Sequence, residues 1–183
     1  MSAVDDLLAA FGERLRVPWR PDEPALGRVW MLWYAKEHER RVRGRIGEFR
    51  LAALNAGKGW HELDLAPLFG QWVVSQPWFE RAARRPATLS TVIGQFEAAV
   101  ADRVHHALTA CGPNDILALT GVASLFGLIR AQDLVRRITD STQVPGRLLL
   151  TFPGVHRDGI YRMLDARDGY NYLAVPIPSV DVV

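Results

Sequence analysis

Strands alternating with amphipathic helices predict a single α/β domain over residues 1–183, a three-layer sandwich with a mostly parallel central sheet. Three observations carry this. Residues 28–34 (RVWMLWY), 115–120 (DILALT) and 147–152 (RLLLTF) are nearly continuous apolar runs, the pattern of strands covered on both faces. Segments of helical periodicity separate them. Strand–helix alternation then places helices over both sides of the sheet. A chain of 183 residues can bury roughly 70% of its unfolded surface, enough for a core without cross-links.

The elements follow in order. Residues 2–16 read as a helix, with Leu7, Leu8, Phe11 and Leu15 at helical spacing and Asp5 and Asp6 at its positive N-terminal end. Three prolines break residues 17–24 into a connector, so residues 1–27 form an N-terminal helix and linker ahead of a core at 28–177. After the first strand, residues 37–56 read as one helix with Val42, Ile46, Phe49 and Ala53 on a stripe. Residues 60–65 alternate in character as a short strand, residues 66–74 form a short helix, and residues 75–88 are irregular. The clearest helix spans 90–110, with Phe96, Val100 and Val104 on its apolar face and a stop at Cys111-Gly112-Pro113. The strand 115–120 ends at Gly121, and a helical segment follows through Leu134 to Thr139. The strand 147–152 is expected to end at Pro153-Gly154. Residues 160–165 and 172–177 read as closing strands around a turn at 166–169.

Composition excludes several function classes. The single cysteine, Cys111, excludes an internal disulfide and any cluster held by two or more cysteines. No stretch approaches the ~20 apolar residues of a membrane span. The N-terminus lacks the basic and apolar regions of a signal peptide, so a cytoplasmic protein is expected. Twenty arginines stand against two lysines, Lys36 and Lys58, yet the net charge is only +2. That balance argues against a general attraction to DNA.

Chemistry is looked for at the C-terminal ends of the strands. The phosphate-binding loop Gly-x-x-x-x-Gly-Lys-Ser/Thr is absent, as are Gly-x-Gly-x-x-Gly and His-Glu-x-x-His. The layout is therefore P-loop-like without the loop, and no catalytic residue, metal or cofactor is assigned. Ser124 lacks the flanking glycines of a nucleophile elbow. Arg40, Arg41 and Arg45, with Arg43, form the densest basic run. A solvated, ion-paired face accounts for it; the sharper reading is a patch for an acidic partner or nucleic acid. Trp72, Trp78 and Phe79 would be partner-binding anchors if exposed, and Arg81, Arg84 and Arg85 form a small basic cluster beside them.

The C-terminal half carries a recognisable order of short pieces. Residues 115–122 (DILALTGV) precede Phe126, Ile129-Arg130 and Leu134, then residues 148–154 (LLLTFPG) and 168–174 (DGYNYLA). This resembles the BrxB family of the BREX bacteriophage-exclusion systems. Its best matches are Thr120, Gly121 and Val122, then Arg130, then Phe152, Pro153 and Gly154; Asn171 and Tyr172 belong to the closing piece, which lacks a basic residue of the family motif. The resemblance extends to residues 29–34, Lys36-Glu37, Arg40-Arg41 and 60–65. It implies a cytoplasmic, non-catalytic scaffold in a phage-defence complex. The implied partner is an enzyme such as the alkaline-phosphatase-like PglZ, with any DNA contact indirect. The residues of the pattern read structurally first, with Gly121 and Gly154 turning the chain at strand ends and Arg130 clamping a neighbouring loop, the alternative for Arg130 being to face a partner's carboxylate or phosphate. The alternatives are a nucleic-acid-binding module and a degenerate nucleotide-binding domain.

Overall fold

The computed structural model describes residues 2–80, 84, 91–171 and 173–178. Five strands form an all-parallel sheet in the order β2-β3-β4-β1-β7. They are β1 (Val29–Tyr34), β2 (Gly59–Asp64), β3 (Asp115–Thr120), β4 (Arg147–Arg157) and β7 (Val175–Ile177). Two further strands, β5 (Ile160–Met163) and β6 (Tyr170–Asn171), extend antiparallel from the far half of β4. Among the described residues the α-helices are α1 (Ala3–Arg16), α2 (Glu39–Gly44), α3 (Ile46–Asn55), α4 (Leu68–Val74), α5 (Ile93–Leu108) and α6 (Ala131–Ser141).

The two-residue period of a strand divides the apolar runs between two cores. Val29, Met31 and Trp33 join Leu148, Leu150 and Phe152 beneath α5 and α6. Trp30, Leu32 and Tyr34 join Leu149 beneath α1 and α3. All six residues of β1 are buried, as expected of a strand with helices on both sides. The helices cover those faces with stripes at helical spacing: Val4, Leu7, Phe11 and Leu15 on α1, and Phe96, Val100, Val104 and Leu108 on α5. Ser2 and Asp5 close a reciprocal capping box on α1, the Ser2 hydroxyl accepting from the Asp5 N–H at 3.3 Å and the Ser2 N–H donating to the Asp5 carboxylate at 2.8 Å. Among the described residues, no helix is long and apolar enough to cross a membrane.

The structure corrects the sequence reading at three places. The helix expected over 37–56 breaks at Arg45 (φ −113°, ψ 13°), between α2 and α3. Its guanidinium pairs with Asp5 of α1 and with Glu48, both at 2.7 Å, and Gly44 and Gly47 on either side weaken helix continuation. The segment after β3 is a 3-10 turn at Val122–Leu125 followed by irregular chain, and α6 begins only at Ala131.

The third correction matters most. β4 does not end at Pro153-Gly154. Pro153 stays in register with Tyr34, and its carbonyl accepts from Leu164 N at 2.9 Å. At Gly154 the strand changes partner and runs antiparallel to β5. A Cβ at Gly154 would collide with the Arg162 carbonyl, so this glycine permits close strand approach instead of a turn. The turn lies at Asp158-Gly159, both with positive φ (51° and 76°), as a two-residue hairpin loop requires. Gly121 does turn the chain, with φ 67°, tucked against Asp64 and Ala66 at the end of β2.

At the N-terminal end of the sheet two arginines hold the chain together. Arg28 immediately precedes β1 and Arg147 opens β4, and Val29 pairs with Leu148, so the two lie side by side. Arg28 donates to the carbonyls of Pro21 (2.7 Å), Glu23 (3.1 Å), Val144 (2.8 Å) and Pro145 (3.0 Å). It thereby ties the proline-rich connector to the turn before β4.

Candidate functional site

A pocket of about 230 Å³ opens at the C-terminal end of the sheet. Three segments build it. The β3–α6 connection brings Phe126, Ile129 and Arg130, β4 brings Phe152, and the β5–β6 hairpin brings Tyr161, Met163, Arg167, Asp168 and Tyr170. The floor is aromatic and buried, with the Phe152 and Tyr161 rings 5.7 Å apart near a T-shape. Burial pushes the Tyr161 phenol well above its ordinary pKa, and its hydroxyl donates to the Ala174 carbonyl at 3.4 Å. The phenol is thus a neutral, oriented wall.

The rim is charged and open. Arg130, Arg167 and Asp168 are exposed. The Arg130 guanidinium stands 5.8 Å from the centre of the Tyr170 ring. It makes no hydrogen bond to a loop carbonyl among the described residues; the internal clamp expected of Arg130 is made by Arg28 at the opposite end of the sheet. Lys36, just after β1, pairs with Asp165 in the β5–β6 connection, which holds its ammonium above the ordinary pKa. That bond fastens the hairpin to the end of β1.

One exposed large apolar residue, Phe126, lines this pocket, while Ile160 lies on the opposite face of β5 from Tyr161 and Met163. Phe126 is 46% exposed, Ile160 38% and Leu173 73%. Phe126 lines the pocket, Ile160 pairs with Asn171 across β5 and β6, and Leu173 follows two residues later. An apolar recess with an exposed aromatic residue, Phe126, at its edge and a guanidinium rim is chemistry for receiving a protein side chain.

Six of the twelve lining residues belong to the pattern quoted from the sequence: Phe126, Ile129, Arg130, Phe152, Asp168 and Tyr170. Thr120 and Val122 are buried behind the site, and Asn171 is exposed on β6. Tyr172, Arg81 and Arg85 lie outside the described residues.

The other predicted residues stand elsewhere. Arg40 and Arg41 are exposed on α2 and make no ion pair among the described residues. Arg43 pairs with Asp64 at 3.0 Å and Arg45 with Asp5 and Glu48, so the basic run is divided between free and engaged members. Trp72, Trp78 and Phe79 are half-buried, not exposed anchors. Trp72 packs 5.3 Å from Phe96 of α5 and 5.6 Å from Trp78, joining this cluster to the core beneath α5. Arg84 is exposed in a turn.

Nucleophile and metal readings gain nothing from the geometry. The Ser124 hydroxyl donates to the Gly121 carbonyl at 2.7 Å and stabilises its own turn. Cys111 packs against the core, and burial raises its thiol pKa. Among the described residues, no group of three or more His, Cys, Asp or Glu side chains is arranged to hold a metal ion.

Tyr161, Met163 and Arg167 are pocket residues that the sequence reading missed. The dipeptide Asp158-Gly159 was the available signal, since it specifies a hairpin and would have placed β5 against β4. Comparison of the chain with protein-family models, with curated proteins and with solved structures finds no match.

Proposed function

We propose that this chain is a non-catalytic scaffold of a BREX-type phage-defence complex, holding a partner enzyme of the alkaline-phosphatase-like PglZ class. The observation that carries the reading is the pocket at the C-terminal end of the sheet. Residues from pieces of sequence more than forty positions apart, quoted as one family-like pattern, line a single apolar recess with exposed arginines. Such a recess suits an apolar anchor side chain, and Arg130 and Arg167 suit carboxylates beside it.

Co-purification with the cognate phosphatase-like protein tests this. Wild type retains the partner at native-like salt, and Phe126→Ala with Arg130→Glu weakens binding by about thirtyfold or more, as loss of a hot spot of ~2 kcal/mol requires. No complex with the wild type, or undiminished binding by the double variant, removes the reading.

A further inference from the structure

The opposite face of the β4–β5–β6 extension carries a second feature, independent of the pocket around Arg130. Strand alternation defines that face. Tyr161 and Met163 point inward from β5, so Ile160 and Arg162 point outward. The pairing puts Val155 across from Arg162 and Arg157 across from Ile160. All four are exposed. The uncovered face of an antiparallel sheet is ordinarily polar, yet Val155 is 51% exposed. Arg157 and Arg162 make no ion pair among the described residues.

Val155 also lines a recess of about 240 Å³ outside the C-terminal end of β1. Leu7 of α1, Trp33 of β1 and Pro178 after β7 make its interior apolar. The Trp33 indole N–H holds Pro178 in place by donating to its carbonyl at 2.8 Å. His38 lines the same recess from the 3-10 turn Lys36–His38, which runs on into α2 through helical backbone at Glu39 (φ −47°, ψ −50°). Arg41 comes three residues after His38, one turn along on the same side. It too is exposed and makes no ion pair among the described residues. The recess therefore lies between two guanidiniums, Arg41 beyond its His38 wall and Arg162 beside its Val155 wall. Asp6 of α1 is the acid in its wall.

A merely solvated basic face has no use for Val155 and Ile160 between its arginines. Apolar contact with charge at its margins is the anatomy of a protein interface, in which the apolar part drives association and the charge selects the partner. The sign of the charge calls for carboxylates. The outward residues include no aromatic ring on which the bases of a single strand could stack. We infer that this face docks an acidic segment of another protein, with one apolar side chain of that segment in the recess and carboxylates over Arg41 and Arg162.

Fluorescence anisotropy tests this with the full chain and three labelled probes: a peptide of glutamates and serines around a central phenylalanine, the same peptide with serine at its centre, and a short DNA duplex. The titrations are run at ~0.15 M ionic strength, where exposed charges more than ~8 Å apart are screened. The phenylalanine peptide binds saturably, and the serine peptide about tenfold more weakly, as loss of a buried apolar side chain requires. Arg41→Ala with Arg162→Ala weakens the phenylalanine peptide about tenfold, a fewfold for each exposed charge contact. Both residues are exposed and free of ion pairs, so the variant keeps its fold, verified by circular dichroism. Asp6→Asn removes a repulsion and tightens the complex; a weaker complex would mean that the wall selects a cation, and would overturn the inference. Phe126→Ala with Arg130→Glu, on the other face, leaves peptide binding unchanged, so failure here is distinct from failure of the scaffold reading. No binding of the phenylalanine peptide, equal binding of the two peptides, or binding unchanged in the arginine variant also overturns it. Duplex DNA bound as tightly as the phenylalanine peptide assigns the face to nucleic acid. A sedimenting dimer that the arginine variant abolishes assigns it to a second copy of the chain. Either result overturns the acidic partner.

Discussion

Arg28 and Arg147 at the N-terminal end of the sheet are buried and bonded to backbone carbonyls and Glu23, whereas Arg130 and Arg167 at the C-terminal end stand exposed around an apolar pocket. The same side chain serves two physical purposes. Where water is excluded, the guanidinium must find protein acceptors, and in doing so it fixes the connector against the strand starts. Where water reaches it, the guanidinium is hydrated, contributes little to stability, and remains available to a ligand. An arginine-rich composition therefore says little about partners until each guanidinium is placed. Removing arginines at the two ends should separate stability from binding.

The largest effect is expected at Arg28. Arg28→Ala strands four carbonyls, that of Val144 buried, and should lower stability by about 3 kcal/mol or more. Arg28→Lys should recover only part, because one ammonium cannot reach acceptors on both sides of the fork. Urea unfolding decides the matter: the midpoint falls with the slope unchanged. A midpoint within error of wild type would mean that the connector is held by other contacts.

Next comes Gly154, the counterpart at the other end. Gly154→Ala drives a methyl group into the Arg162 carbonyl and should cost about 1–3 kcal/mol by forcing β4 and β5 apart. Because β5 carries Tyr161 and Met163 into the pocket, the same change should weaken partner binding. Arg28→Ala, at the remote end, should leave the affinity of the folded fraction unchanged. Measuring both properties on both variants sharpens the contrast between a lock and a site.

The two ends were not equally legible in the sequence. β1, β3 and the first half of β4 are identifiable because strands covered on both faces must be apolar throughout, which composition alone records. The second half of β4 reads as a stop because Pro-Gly punctuates chains locally, and the close approach of β5 that demands Gly154 is a tertiary fact. Each of the runs 28–34 and 147–152 opens with an arginine in plain view. That they lie side by side depends on a register no local pattern encodes. The pocket combines segments 126–131 and 161–170 with Phe152, and periodicity within any one of them does not announce it.

A smaller effect is expected in acid. The Asp5 carboxyl is held at about pKa 2 by the Ser2 backbone N–H, by Arg45 and by the Ser2 hydroxyl. A carboxylate with a depressed folded pKa contributes stability that is fully present above its unfolded value, near 3.8, and lost as pH falls toward 2. Wild type and Asp5→Asn should therefore differ in Tm at neutral pH and converge between pH 4 and 2 (the window those two values set). Curves that stay parallel through that window would show that the cap and the Arg45 pair do not couple to folding.

The smallest stability change is expected at Arg130, and that is its diagnostic value. Its guanidinium is exposed, stands over Tyr170 at 5.8 Å, and has no ion pair among the described residues. Arg130→Ala should change stability by no more than about 1 kcal/mol, the range of an exposed cation–π contact such as that with Tyr170. The same variant should lose partner affinity if the rim receives carboxylates, and Arg130→Lys should restore only part, since an ammonium lacks the bidentate fork. A stability loss comparable to that of Arg28→Ala would make Arg130 a second lock and dissolve the distinction between the two ends. Unchanged stability with unchanged binding would leave the apolar floor of Phe152 and Tyr161, not the charged rim, as the feature that selects the partner.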